Sequence, residues 1–246
     1  MAEPSAATVR VVAASEEIPD RALAVYAHPD DPEISAGGTL ARWAAAGTEV
    51  WVLITTQGDK GTQDPDADPA TLAALRVEET AKAAALLGFT GTRHLDHPDG
   101  ELVDDHELRG SIVQVIREVQ PDVVLCPDPT AVFFGDGYVS HIDHRTIGWA
   151  TLDAVTPAAA SPLYFPDRGD AHQVETLLLS GTFEPDVWVD VGDVLDRKVA
   201  ALFAHTSRLA DDADEWLDDF VRHRAAEEGA RAGVTYAEAF RRIRLV

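Results

Sequence analysis

The sequence predicts an α/β domain in which a mostly parallel sheet lies between two layers of helices. The first observation is that short β-rich runs alternate with longer helical patterns over about the first 160 residues. Parallel neighbours need crossover connections, and those crossovers put helices on both faces of the sheet. The second is that the breaks fall where breakers stand, with Gly88 after Leu87 and Pro121 ahead of an apolar run. Taken in order, Ala22–Ala27 reads as the first strand, around the apolar run Leu23-Ala24-Val25-Tyr26, and Gly38–Ala46 as the first helix. Val50–Thr55 is the second strand, Thr71–Leu87 the second helix stopped by Gly88, and Arg93–Asp96 the third strand. Glu107–Val119 is the third helix, ended by Pro121, and Val123–Cys126 the fourth strand. Val174–Leu179 and Val187–Val191 are less regular and read as edge strands, followed by helices from Val194 and from Ala213. The expected architecture is therefore three-layered, Rossmann-like and a single domain over residues 21–246, with residues 1–20 poorly ordered or extended.

That topology says where a ligand goes. Open α/β sheets bind beyond the carboxyl ends of their strands, at the point where strand order reverses. In a 3-2-1-4 order the first and fourth strands are neighbours at that reversal. The segments following them, His28 to Asp31 and Asp128 to His144, would then face each other across one crevice. No GxGxxG follows the first strand, which weakens a dinucleotide-binding reading.

Composition narrows the partners. Lys+Arg 20 against Asp+Glu 43 gives a formal charge of −23, and like charge repels both nucleic acid and an anionic membrane surface. A neutral or cationic small molecule is the better match. The acidic run Asp211-Asp212-Ala213-Asp214-Glu215 has no ligand spacing and reads as solvated surface. A single cysteine, Cys126, excludes a disulfide framework and a thiolate zinc site, and reads as a buried strand residue of a cytoplasmic protein. The first twenty residues lack the basic start and long apolar core of a signal peptide, and no stretch approaches the roughly 20 apolar residues that span a bilayer.

Two clusters carry the chemistry. In Ala27-His28-Pro29-Asp30-Asp31-Pro32-Glu33, His28 and Asp31 can converge on one zinc ion. Asp30, not needed as a ligand, is free to take a proton from water. A plainer reading has Asp31 capping the helix that Pro32 opens, but it leaves His28 and Asp30 unexplained. In His141-Ile142-Asp143-His144 one imidazole can complete a three-ligand site and the other is left for catalysis. Asp143 can hold that spare imidazole in its protonated form. Arg76 and Glu79 share a helical face and read as an ordinary surface pair, and Asp99 in Pro98-Asp99-Gly100 reads as turn chemistry or as an acceptor for a sugar hydroxyl. His94 and His97 point to opposite faces of a strand and are set aside. Asp64 to Asp68 imitates a calcium loop but has Pro69 and Leu75 where glycine and glutamate are required.

With these residues on the page, the chain resembles the PIG-L/LmbE family of zinc-dependent N-deacetylases. The resemblance rests on Ala27-His28-Pro29-Asp30-Asp31 with Gly37-Gly38-Thr39-Leu40, and on His141-Ile142-Asp143-His144. Thr56 to Gly61, Arg76-Val77-Glu78-Glu79, Leu87-Gly88, Pro98-Asp99-Gly100, Ala204-His205-Thr206-Ser207 and Tyr236 to Phe240 add to it, so it runs from about Arg21 to the C-terminus. The resemblance implies His28, Asp31 and His144 as zinc ligands, Asp30 as general base and His141 as a second catalytic group. It also raises Arg76 to a substrate or oxyanion contact and implies an N-acetylated amino-sugar substrate. In two places the chain departs from the family pattern: Glu33 follows Asp31 only after Pro32, and Arg208 stands where a glutamine often follows the late His-x-Ser block. The alternatives are a zinc hydrolase acting on another amide or ester bond and a non-catalytic metal- or carbohydrate-binding module; Asp30 favours an enzyme over the latter. A homo-oligomer is compatible with all of them.

Overall fold

Alternation along the first strand decides which layer each side chain serves. In β1 (Arg21–Tyr26), Ala22, Ala24 and Tyr26 join one apolar cluster with Leu40 and Ile54, while Leu23 and Val25 join another with Ile112 and Ile116. A strand buried on both faces belongs at the centre of a parallel sheet. The computed structural model describes residues 13–208 and 213–245, the side chains of 213–215 excepted, and places β1 at that centre. On one side lie β2 (Glu49–Thr56) and β3 (Gly91–His97), and on the other β4 (Val123–Pro127). A two-residue hairpin, β5 (Phe133–Phe134) with β6 (Tyr138–Val139), stands apart from the main sheet. Beyond β4 come β7 (Thr176–Ser180), then β9 (Ala237–Arg244), then β8 (Val187–Asp190), so the seven-stranded order is β3-β2-β1-β4-β7-β9-β8. The first five strands in that order pair in parallel, and β9 runs antiparallel to both its neighbours. The expected 3-2-1-4 core and the helices on both faces are what the structure has.

α1 (Asp31–Ala46), α2 (Pro69–Leu87) and α5 (Leu195–Leu202) cover one face of the sheet, and α3 (His106–Val119) and α4 (Ile142–Asp153) the other. α6 (Ala213–Ala232) packs on α5 through Val221 and Ala225. No helix among the described residues is long and apolar enough to cross a membrane. Of the expected N-terminal segment, residues 1–12 lie outside the described part; residues 13–20 form neither helix nor strand, and Ser15 N–H donates to Trp188 O at 2.6 Å. The acidic run 211–215 likewise falls on residues whose side chains are not described.

Two expectations are corrected. α1 begins at Asp31, seven residues before Gly38, and Gly38 lies inside the helix at a point of close packing. A Cβ on Gly38 would meet Val191 at 2.7 Å and the Glu238 carboxylate at 3.0 Å, and Gly38 N–H donates to that carboxylate at 2.9 Å. The strand expected at Val174–Leu179 is not an edge: β9 covers it. The arginines of β9 hid it, since Arg241, Arg242 and Arg244 break the apolar pattern. They are accommodated at the surface by Glu184 and Glu17.

Candidate active site

Both histidine clusters sit at carboxyl ends of strands. His28 and Asp31 stand between β1 and the first turn of α1, and His141 to His144 open α4 after β4 and the hairpin. The turn after β1 is bent by Asp30, whose φ of 91° is unusual for a residue with a side chain. It occupies the N-cap position of α1 without any capping bond from its carboxylate. Nor does Asp31 cap the helix: its Oδ2 accepts from the backbone N–H of His28 at 2.8 Å. Released from capping, both carboxylates face the crevice chemistry.

His28 Nδ1, the Asp31 carboxylate and His144 Nε2 converge. Nδ1 lies 3.2 Å from Asp31 Oδ2 and 3.1 Å from His144 Nε2, which is itself 3.1 Å from Asp31 Oδ1. Ligands of a tetrahedral zinc ion at about 2.0–2.1 Å from the metal are separated by roughly 3.3 Å, so the spacing of this trio fits such an ion. A second group shares His28 through its other ring nitrogen and includes Asp99, His141 and Asp143. It suits a supporting role better, because the fully buried Asp143 carboxylate is already filled. Its Oδ2 accepts from Gly100 N–H at 2.6 Å and lies 3.2 Å from His28 Nε2, while Oδ1 accepts from Leu102 N–H at 3.1 Å. Asp99 Oδ1 is 3.1 Å from the same His28 nitrogen. A carboxylate on the outer nitrogen of a metal-facing imidazole fixes its tautomer and orientation.

The Asp143 carboxylate lies closer to His28 than to His141, whose Nδ1 is 3.9 Å from Asp143 Oδ2. His141 Nδ1 instead accepts from the backbone N–H of Asp143 at 3.2 Å. That bond assigns the neutral imidazole proton to Nε2. Burial and the positive charge of His28 push the His141 pKa down against Asp143, so the protonated form expected for this residue is disfavoured.

The remaining titration follows from the same geometry. Burial opposes charge on His28, but Asp31, Asp143 and Asp99 outweigh it and push the imidazole up to about 12. His144 is likewise raised by Asp31 against burial. Asp31 is held well below the usual carboxylate range, its burial outweighed by His144 and His28. Asp30 moves the other way, raised by burial and by the neighbouring charge of Asp31 and only partly relieved by Arg208, His205 and Arg76. Two adjacent carboxylates are thus pushed apart, one kept as an anion and one made more basic.

Arg76 and Glu79 are not a surface pair. Arg76 is 2% exposed and lies under the loop after β2, where its Nη2 donates to Gly61 O at 3.0 Å. The guanidinium fills the space that a Cβ at Gly58 or Gly61 would take, and Gly58 also adopts a φ of 62° that favours glycine. Glu79 turns to the late block: it accepts from Thr206 Oγ1 at 2.7 Å, Ser207 N–H at 2.8 Å and Ser207 Oγ at 2.6 Å. The short helical turn Thr206–Arg208 is thereby pinned, and Arg208 Nε donates to Asp30 Oδ2 at 3.0 Å. His205 is buried with its Nε2 3.6 Å from Glu33 Oε2. The parts of this network were visible as motifs, but nothing local joins Glu79 to residues more than 120 positions away.

Residues 23–155 match the PIG-L family, described as GlcNAc-PI de-N-acetylase. The diacetylchitobiose deacetylase of Thermococcus kodakarensis is 34% identical over 90% of this chain and 82% of its own length. The 1D-myo-inositol 2-acetamido-2-deoxy-alpha-D-glucopyranoside deacetylase of Tsukamurella paurometabola is 32% identical over 77% of this chain and 83% of its own. Among solved structures, the N,N'-diacetylchitobiose deacetylase of Pyrococcus horikoshii superposes with a TM-score of 0.85 at 31% identity, covering 92% of this chain and 84% of that one. The order of the sheet, the His/Asp trio where strand order reverses and these similarities agree: the chain belongs to the PIG-L family.

Proposed function

We propose that this protein is a zinc-dependent N-deacetylase that hydrolyses the acetamide of an N-acetylglucosaminyl conjugate, with one zinc ion per chain held by His28, Asp31 and His144. One observation carries the reading: beside a three-ligand group stands a carboxylate, Asp30, that is not one of the ligands and is made more basic by its surroundings. A module that merely stored metal would have no use for it. The substrate class draws support from the two relatives, whose named substrates share an acetylated glucosamine and differ in what is attached to it.

When bound, zinc supplies Lewis acidity and an acidified water in the position three protein ligands leave open. Asp30 takes a proton from the attacking water as its oxygen bonds to the amide carbon. His141 donates from Nε2–H to the carbonyl oxygen as that atom gains charge, which needs a neutral imidazole and no prior protonation. The proton held by Asp30 then passes to the amide nitrogen as the C–N bond breaks, leaving acetate and a free amine. Asp143 and Asp99 keep His28 in register. The second oxygen of Asp99 is left for a sugar hydroxyl, and Arg76 supports the Gly58–Gly61 loop and contributes positive charge toward Asp30 and Asp99.

The test combines metal analysis with primary-amine release from diacetylchitobiose, GlcNAc-inositol and a nucleotide-linked N-acetylglucosamine. We expect about one zinc per chain, retained by the wild type and lost from His144→Ala. We also expect the neutral conjugates to have the higher kcat/KM, since a chain at −23 repels a pyrophosphate. Absence of amine release from every conjugate by the zinc-loaded protein would overturn the reading.

A further inference from the structure

We infer that Arg208 is a positioning residue for the proposed base: it holds one oxygen of the Asp30 carboxylate so that the other faces the attacking water. The inference rests on the deacetylase reading for its readout but on separate observations for its substance. Asp30 lies at the N-cap of α1 on a backbone bend at φ 91°; its carbonyl accepts from Ile34 N–H at 3.0 Å, but its carboxylate makes no capping bond. Left alone, its side chain would rotate between the crevice and the helix terminus. Among the described residues the one hydrogen bond to that carboxylate comes from Arg208 Nε, at 3.0 Å to Oδ2. Such charge-assisted bonds are the stronger and more directional kind.

The arginine is itself held. The turn Thr206–Arg208 that carries it is fastened by three hydrogen bonds to Glu79, whose carboxylate is buried on α2 one helical turn from Arg76. α2 therefore reaches the base twice, through Arg76 beneath the Gly58–Gly61 loop and through Glu79, Ser207 and Arg208. Arg208 directly follows the block Ala204-His205-Thr206-Ser207. A glutamine amide can donate a hydrogen bond, but it carries no charge to favour the anion over rotation away from it. The arginine makes the orientation of Asp30 depend on one specific side chain in this protein.

The test is kinetic, on zinc-loaded full-length enzyme with Arg208→Ala and Arg208→Gln. We expect metal content to be unchanged and kcat to fall by about 10- to 100-fold in the alanine variant while KM moves less than about threefold, as for a lost charged hydrogen bond that matters in the transition state. The glutamine variant should fall between alanine and wild type, and it serves alone if the alanine variant does not fold. Guanidinium ion added to Arg208→Ala should restore several-fold activity and leave the wild type and Asp30→Asn unaffected, a response that a purely structural defect would not give. An unchanged kcat, a loss confined to KM, or failure of guanidinium to rescue would each overturn the inference. Inactivity of the wild type itself would instead sink the deacetylase reading and the inference with it.

Discussion

The middle and the start of α1 meet buried charge in opposite ways. In the middle of the helix, Lys198 and Glu238 form a pair in which the acceptors and the donor are engaged: the carboxylate takes Gly38 N–H, Thr39 N–H and the ammonium at 2.6 Å, and the ammonium also donates to Ile34 O. At its start, His28, Asp31 and His144 crowd their lone pairs onto one another, and nearby Glu33 Oε2 and both nitrogens of His205 find no hydrogen-bond partner among the described residues. Closed clusters hold a fold together, since a buried polar group is stable once its partners are filled. Open ones are where a protein keeps capacity for something it binds, and the contrast separates structural from functional charge within a single helix.

The comparison breaks most visibly at Asp30. Asp30→Asn keeps size and hydrogen bonding but accepts no proton, so turnover should fall by roughly 10²–10⁴-fold with zinc content intact; near-normal turnover would move the base elsewhere. In the closed cluster the loss should appear as stability. Glu238→Ala leaves the Lys198 ammonium buried without its counter-charge and should cost about 3–5 kcal/mol in denaturant unfolding, whereas replacing both residues by apolar ones of similar size should cost much less. Equal losses for the single and double changes would mean that the pair is not what joins β9 to α1. The open cluster should answer to pH. The pKa of His28 is pushed up to about 12, so near neutrality it carries a proton that a metal must displace, and that of His144 is raised by Asp31 against burial. Zinc affinity should therefore climb as pH rises, about tenfold per unit for each proton released, and calorimetry in buffers of different ionisation enthalpy reads that number directly. Affinity independent of pH would show that the ligands are already deprotonated.

What the sequence made legible was whatever depends on local pattern or on topology. Strand–helix alternation led to the 3-2-1-4 core, and that order brought His28 and Asp31 to His144 without any side-chain information. Contacts between side chain and backbone were not legible. Asp143 follows His141 closely enough to look like its partner, yet its carboxylate is taken by Gly100 and Leu102 N–H and turned toward His28. Arg76 and Glu79 have the spacing of a surface pair, and only the burial of α2 against the late turn shows that each serves a different loop. Gly38 reads as the start of a helix because nothing local reveals Val191 and Glu238 pressing against it.

The bend at Asp30 carries a consequence for the evolution of the chain. A side-chain-bearing residue at φ 91° costs about 1–3 kcal/mol that glycine would not. Asp30→Gly should consequently melt at a higher temperature than the wild type while losing the turnover that Asp30→Asn loses. Selection for robustness alone would erase the aspartate, so its presence is the trade expected if the carboxylate proposed as base is kept against the preference of its own backbone. A thermostabilised variant obtained without an activity screen should lose this residue early.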